Sequence, residues 1–403
     1  MLGEPRSPLS SSAINLLLMG IRPIRRPVAF RPAAFLPFCL LLVSCGSSTM
    51  DSAPPARVEA VTNTTGPLVI VHSGEFVGIT FRNSVVETDE MNYYRYRYLY
   101  TSGGVAIGDV DGDDLPDIFL VSALDGCRLY KNKGELRFED VTTKAGVSPG
   151  NIWATGTTMA DINGDGHLDL YICCSGPVDR ERLRDRVYIN NGDGTFTERG
   201  TELGITESGY TTMAYFHDFD QDNDLDLFLL GQREDFKDFS VVKTVLATET
   251  SRNTNRLYVN DGTGHFTDRS GASGLLTHNW GLSACVGDMT GDGRSDIFAA
   301  NDFVQPDNLF VQDDPLHFHD EVNDRLGHIS YFSMGSDLAD LNNDGLGDLV
   351  VVDMTPADHA RSKQNMASMR PKDFDLMAGH GWHAQYMTNQ LHLANGNGTF
   401  SEI

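Results

Sequence analysis

Positive charge is scarce in this chain. Its 403 residues carry 31 Lys and Arg against 56 Asp and Glu, a formal net charge of −25. The average surface therefore repels a phosphate backbone, and nucleic acid is set aside as a partner. Long apolar runs are scarcer still: the one present, residues 33–43, is too short for a bilayer-spanning helix. Cysteine numbers six, with neither a CxxC nor a Cys/His ligand spacing, which argues against zinc. No nucleophile motif, phosphate loop or dinucleotide fingerprint occurs. Abundant instead are glycine, at 40 residues, and aromatics, with 21 Phe and 13 Tyr. So many glycines require many turns, and 40% apolar residues are too many for a disordered acidic chain.

Arg22, Arg25, Arg26 and Arg31 precede the apolar run, in the order of an export signal. The run ends in Leu42-Val43-Ser44-Cys45, which resembles the lipobox of bacterial lipoproteins, where the cysteine carries lipid. Residues 1–45 are read as a lipoprotein signal peptide with Cys45 as lipidation site. The implied location is the bacterial cell envelope, at the outer membrane or cell surface, with the lipid anchor as the sole membrane contact. An ordinary signal peptide with an incidental cysteine is the alternative, and Met19 is a second possible start. Loss of residues 1–44 removes five arginines and Glu4, so the mature charge is −29. Residues 46–66, rich in Ser, Thr, Pro and Ala, read as a flexible linker, and residues 67–403 as the folded body. Cys127, Cys173, Cys174 and Cys285 remain, free to pair in three ways or to stay buried as thiols.

An acidic nonapeptide recurs five times: DVDGDDLPD from Asp109, DINGDGHLD from Asp161, DFDQDNDLD from Asp218, DMTGDGRSD from Asp288 and DLNNDGLGD from Asp340. Each has a run of small and apolar residues before it and an apolar run after it, which predicts flanking strands. A second element follows each copy, LYKNKGELRFED from Leu129, VYINNGDGTFTE from Val187, LYVNDGTGHFTD from Leu257, LFVQDDPLHFHD from Leu309 and LHLANGNGTFSE from Leu391. Its alternation about a turn predicts a hairpin. Four strands per unit of some fifty residues predict an all-β fold, a β-propeller of four-stranded blades.

These motifs resemble the integrin-type FG-GAP and VCBS repeat family, and more closely the secreted bacterial proteins grouped with cartilage acidic protein. The resemblance covers roughly residues 75–403 and implies a propeller with calcium in each acidic loop. Integrin-like propellers usually have seven blades. Five repeats ending at Phe400-Ser-Glu-Ile403 therefore predict an incomplete or open ring, unless residues 67–100 donate a closing strand.

Calcium takes six to eight hard oxygens, which side chains at alternate loop positions supply with a backbone carbonyl between them. Positions 1, 3, 5 and 9 give the candidate ligands Asp109, Asp111, Asp113, Asp117; Asp161, Asn163, Asp165, Asp169; Asp218, Asp220, Asp222, Asp226; Asp288, Thr290, Asp292, Asp296; and Asp340, Asn342, Asp344, Asp348. Seventeen of the twenty are Asp, so up to five Ca²⁺ would bring the mature charge to −19. An EF-hand is excluded, because its position-12 Glu is replaced by Leu120, Ile172, Leu229, Ala299 and Val351. Metal-free Asp/Gly turns are the alternative.

Tyr94, Tyr96, Tyr98 and Tyr100 alternate as one strand face, either packed on a blade or open as a stacking platform for sugars. Residues 353–390 interrupt the fifth unit and read as a Met-rich helical insertion across one propeller face, and a polar insertion covers 231–255. His380 with His383, and His317 with His319, are histidine pairs without an evident third ligand. The function expected is a surface-anchored, calcium-binding adhesion module for a protein or glycan. The alternative is a carbohydrate-active, polysaccharide lyase-like enzyme on the same scaffold.

Overall fold

The computed structural model describes residues 70–206, 209–232, 254–277, 279–302, 305–356, 358–365 and 371–403. The chain divides into two units, 1–76 and 77–403. Of the first, the described residues 70–76 include the start of a single helical turn, α1 (Gly74–Val77). The export signal, the linker, Cys45 and most of the 231–255 insertion lie outside the described residues.

In the second unit each acidic nonapeptide joins the first two strands of a four-stranded antiparallel sheet, and each hairpin supplies the other two. Blade 1 is β1 (Gly104–Gly108), β2 (Asp117–Val121), β3 (Cys127–Asn132) and β4 (Phe138–Asp140). Blade 2 is β5 (Ala154–Ala160), β6 (Asp169–Cys174), β7 (Arg186–Asn190) and β8 (Phe196–Glu198). Blade 3 is β9 (Thr211–His217), β10 (Asp226–Gly231), β11 (Arg256–Asn260) and β12 (Phe266–Asp268). Blade 4 is β13 (Gly281–Gly287), β14 (Asp296–Asn301), β15 (Asn308–Asp314) and β16 (His317–Asp320). After β17 (Ile329–Ser330), blade 5 is β18 (Ser333–Ala339), β19 (Asp348–Asp353), β21 (Gln390–Ala394) and β22 (Phe400–Glu402), with β20 (Gln385–Tyr386) pairing β17 in parallel. The predicted β-propeller of four-stranded blades is thus the fold.

The second strand of each blade shows why the sequence reads as unbroken apolar runs there. In β2, β6, β10 and β14 every residue is buried, because both sheet faces are covered. The apolar clusters lie between blades: Phe119, Leu129, Leu170 and Ile172 join blades 1 and 2, and Phe298, Leu309, Leu349 and Val351 join blades 4 and 5. The innermost strands β1, β5, β9, β13 and β18 lie side by side in that order around a cavity of about 530 Å³. Small residues permit the approach: a Cβ on Gly156 would sit 2.3 Å from the Thr212 carbonyl oxygen.

The five blades form an open arc. Val105 and Ile107 on β1 are 51% and 53% exposed, and Val352 on β19 is 45% exposed, where the equivalent strands of the middle blades are covered. Residues 80–84 do not extend the last hairpin. They lie on blade 1, where Thr80 and Phe81 N–H donate to Tyr130 Oη at 3.2 and 3.0 Å and Ser84 N–H donates to Asp125 Oδ2 at 2.7 Å.

The tyrosine stripe is not a strand. Residues 92–101 form successive turns, with Arg95 and Tyr96 N–H bonded to Asn92 O, Leu99 to Tyr96 O, and Thr101 to Tyr98 O. The Asn92 side chain also accepts from Tyr94 and Arg95 N–H, a local asparagine turn that defeats the alternation. Consequently Tyr96 and Tyr98 are buried while Tyr94 and Tyr100 are exposed. The buried pair packs with Trp153, Trp280, Phe332 and Met377. Met377 lies on α3 (Pro371–Gly379), which with α2 (His359–Asn365) makes the 353–390 insertion helical as predicted. Met366 and Met369 lie outside the described residues.

All four described cysteines are buried free thiols, which leaves the disulfide alternatives unrealised. Burial pushes Cys127 up to about 12 and Cys285 up to about 11.

Candidate functional site

The five acidic loops curl identically. Positions 4 and 6 are left-handed in every copy: Gly112 and Asp114, Gly164 and Gly166, Gln221 and Asn223, Gly291 and Gly293, Asn343 and Gly345. Position 1 organises the curl. Asp109 Oδ1 accepts from Gly112 and Asp113 N–H at 2.8 and 3.1 Å, and Oδ2 from Asp114 N–H at 2.7 Å. Asp161, Asp218, Asp288 and Asp340 accept from the N–H groups of positions 5 and 6 of their own loops in the same way.

Position 9 ties loop to blade. Asp117, Asp169, Asp226, Asp296 and Asp348 are all fully buried. One oxygen of each accepts from the position-2 N–H of its own loop and the other from the end of the third strand. For Asp226 the donors are Phe219 at 3.1 Å and Asn260 at 3.0 Å. Burial raises the carboxyls of Asp117, Asp169, Asp226 and Asp296, Asp169 and Asp296 to about 6 and Asp226 to about 7, with backbone donors opposing it and neighbouring loop carboxylates adding to it.

The loops differ in what they bring together. Carboxylate oxygens of Asp109, Asp111 and Asp117 lie within 4.8 Å of one another, as do those of Asp218, Asp220 and Asp226. Elsewhere position 3 is the neutral Asn163, Thr290 or Asn342. Position 5 stays out of the convergent sets and braces the curl instead: Asp113, Asp165, Asp222, Asp292 and Asp344 each accept from the position-7 N–H.

Do these residues fit a calcium ion? In the third loop Asp220 Oδ1 is buried without a hydrogen-bond partner, and so is Asp224 Oδ1. In the fourth, Thr290 Oγ1 is likewise buried and unpartnered. Hard oxygens held out of water without donors are the ligand set that a cation completes, so the residues fit. The first loop already holds a cation of its own: Lys131 Nζ pairs with Asp111 and lies 3.2 Å from Asp113 Oδ2. In the fourth, Arg294 Nη2 reaches Asp292 at 2.7 Å. The first contact was not legible from the loop motif, because Lys131 belongs to the hairpin twenty residues on from Asp111.

Side-chain amides latch the hairpins of blades 2, 3 and 4 onto the loop of the preceding blade: Asn190 Nδ2 donates to Val110 O at 2.8 Å, Asn260 to Ile162 O at 3.4 Å, and Gln312 to Phe219 O at 2.9 Å.

Away from the loops, a cavity of about 320 Å³ lies between blade 4 and the helical insertion. Trp382, His383, Gln305, Asn308 and Asp320 line it. Gln305 is 7% exposed and its Oε1 has no partner among the described residues. Asp320 is committed, accepting from Leu309 and Val322 N–H and from Asn308 Nδ2. His383 Nε2 bonds the Leu326 carbonyl at 2.9 Å. Among the described residues no third ligand joins His380 and His383, whereas His317 and His319 do stand together beside a carboxylate, Asp313.

A family model described as an FG-GAP-like repeat matches residues 109–172, 178–229, 243–299 and 288–351. Cartilage acidic protein 1 of Xenopus tropicalis is 30% identical over 134 residues, which are 32% of this chain and 20% of that protein. The Mus musculus protein matches at 30% over the same shares. The matched stretch therefore spans about a fifth of these relatives' length. Among solved structures, an Agrocybe aegerita lectin that recognises non-reducing terminal N-acetylglucosamine is 15% identical, covering 75% of this chain and 65% of that one, with a TM-score of 0.40. The V. cholerae biofilm matrix protein Bap1 is 14% identical, covering 75% of this chain and 39% of that one, with a TM-score of 0.36.

Proposed function

The chain belongs to the FG-GAP-like repeat family, and on that premise we propose that it is an exported, calcium-stabilised binding module whose ligand is a glycan. The observation that carries this reading is the cavity under Trp382. It offers an indole for a sugar ring's apolar face, and amide, imidazole and carboxylate groups for its hydroxyls. The unpartnered Gln305 Oε1 supplies an acceptor that a hydroxyl would satisfy. The size suits one or two sugar rings. Binding is favoured over cleavage because no Tyr, Arg or Lys lines the cavity and Asp320 is already hydrogen-bonded through both oxygens.

Calcium in the five acidic loops would fix the rim on which the blades are strung, acting on structure rather than chemistry. Lipidation at Cys45 would hold the module on the cell envelope. A glycan array probed with the calcium-loaded protein, scored for binding and for cleavage, tests the first claim. Retention is expected for wild type and its loss for Trp382→Ala and Gln305→Ala. Retention by both variants, or degradation of the bound glycan, overturns it. Labelling with a palmitate analogue tests the anchor: Cys45→Ala is expected to lose the label.

A further inference from the structure

Three hairpin positions can meet on one face of a blade: the residue after the one that pairs with the buried phenylalanine of the fourth strand, and the two that flank that phenylalanine. In blade 2 they are Asn191, Thr195 and Thr197, with Asn191 Nδ2 at 2.9 and 3.1 Å from the two hydroxyls. In blade 5 they are Asn395, Thr399 and Ser401, joined at 3.0 and 2.8 Å. In blade 1 Lys133 and Glu139 form an ion pair at 3.7 Å across the same face. Blade 4 fills all three positions with metal-ligating groups: Asp313, His317 and His319.

The backbone of this hairpin is altered to match. The β3–β4, β7–β8, β11–β12 and β21–β22 pairs keep regular register up to their turns. In β15–β16, Gln312 pairs with Phe318 but Asp314 pairs with His317, so Asp313 is an extra, bulged residue. A bulge re-aims a side chain, and here the carboxylate lies over both rings. Asp313 Oδ1 is 2.9 Å from His317 Nδ1, and Oδ2 bonds His319 Nε2. The rings are 4.8 Å apart, centre to centre, and one donor atom from each residue lies within 4.8 Å of the others.

We propose that Asp313, His317 and His319 bind a first-row transition-metal ion, with zinc as the test ion, independently of the calcium loops. Two imidazole nitrogens and one carboxylate oxygen form a three-ligand tetrahedral set with water in the fourth position. Imidazole is a poor ligand for a hard cation such as calcium, so the two kinds of site do not compete for one ion. Ligand distances of about 2.0–2.2 Å require only small rotations of side chains that are half exposed.

The experiment is zinc titration of the calcium-saturated protein by calorimetry, with cobalt substitution read by visible absorption. The control is the triple variant Asp313→Asn/His317→Thr/His319→Thr, which reproduces the blade 2 set and so preserves the hairpin. Wild type is expected to take one zinc that the triple variant does not, with a tetrahedral cobalt spectrum lost in parallel. Asp313→Asn alone is expected to weaken binding by at least about tenfold, the loss that follows removal of even an outer-shell partner. Equal zinc uptake by the triple variant overturns the site. So does a wild type that takes no zinc, which would leave only a hydrogen-bonded Asp–His clasp.

Discussion

The loops Asp109–Asp117 and Asp218–Asp226 carry the same four aspartates in the same register, yet they are electrostatically different. Over the first lies Lys131, paired with Asp111 and close to Asp113. The corresponding hairpin residue of blade 3 is the apolar Val259, and in that loop Asp220 and Asp224 each leave a buried oxygen unpartnered. Their carboxyls are raised by burial and by the neighbouring carboxylates of Asp222 and Asp218. Ligand count alone ranks the two loops equal; the built-in ammonium of the first predicts that the third would hold calcium more tightly.

Removing calcium tests the premise and carries the largest expected effect. Extracellular modules bind calcium with Kd as tight as ~0.1 mM, which at ~1 mM calcium gives about 1.4 kcal/mol per site and about 7 kcal/mol for five. A melting temperature unmoved by EDTA at fixed ionic strength would mean metal-free turns and void the comparison. Next, Asp220→Asn is expected to cost roughly 1 kcal/mol of calcium-dependent stability, and Asp111→Asn distinctly less, since Lys131 already neutralises that loop. Equal losses in thermal melts would break the ranking.

Lys131→Met sharpens it from the other side. Calcium must displace the ammonium from its carboxylate partners, and each such attraction is worth about 1 kcal/mol at aqueous dielectric, so calcium affinity in the first loop is expected to rise about fivefold. Competition with a chromophoric chelator reads this, and an unchanged affinity would show that Lys131 swings away at no cost.

The pH dependence distinguishes the loaded and empty states. Asp226 titrates at about 7 in the folded chain against an ordinary 3.8, chiefly through burial. The folded state therefore binds this proton more tightly than the unfolded one. In calcium-free protein its contribution is full below pH 3.8 and is lost as pH rises through about 7. Calcium, which binds the deprotonated form, should abolish that decline, and parallel stability profiles with and without calcium would argue against it. The smallest effect is local: Asn223, at φ 76°, sits where three of the other four loops use glycine, and Asn223→Gly is expected to stabilise calcium-free protein by about 0.5 kcal/mol.

Much of the fold was written in local pattern. Strand, acidic loop, strand and hairpin recur with apolar runs where both faces are covered, and glycine or a tolerant Asn, Asp or Gln falls where the loop must turn left-handed. The tyrosine stripe misled because alternation is only a tendency, and Asn92 offers the backbone a turn with immediate hydrogen bonds. Among site residues, position 9 was legible as a candidate ligand but not as the buried tie between loop and third strand. Gln305 and Trp382 carried no signal, because they lie 77 residues apart and meet only when the insertion folds onto blade 4.

The sequence by itself determined the repeat, the blade and the candidate ligand register, since each is set by neighbours within about ten residues and by the strand period of two. Tertiary structure alone decided which loop holds a lysine, which amide latches which blade, where the arc stays open, and that Asp313 joins two histidines. Those depend on packing between units and on one bulged residue. Contact between chain-distant side chains follows from the twist and spacing of whole sheets, which no local pattern encodes.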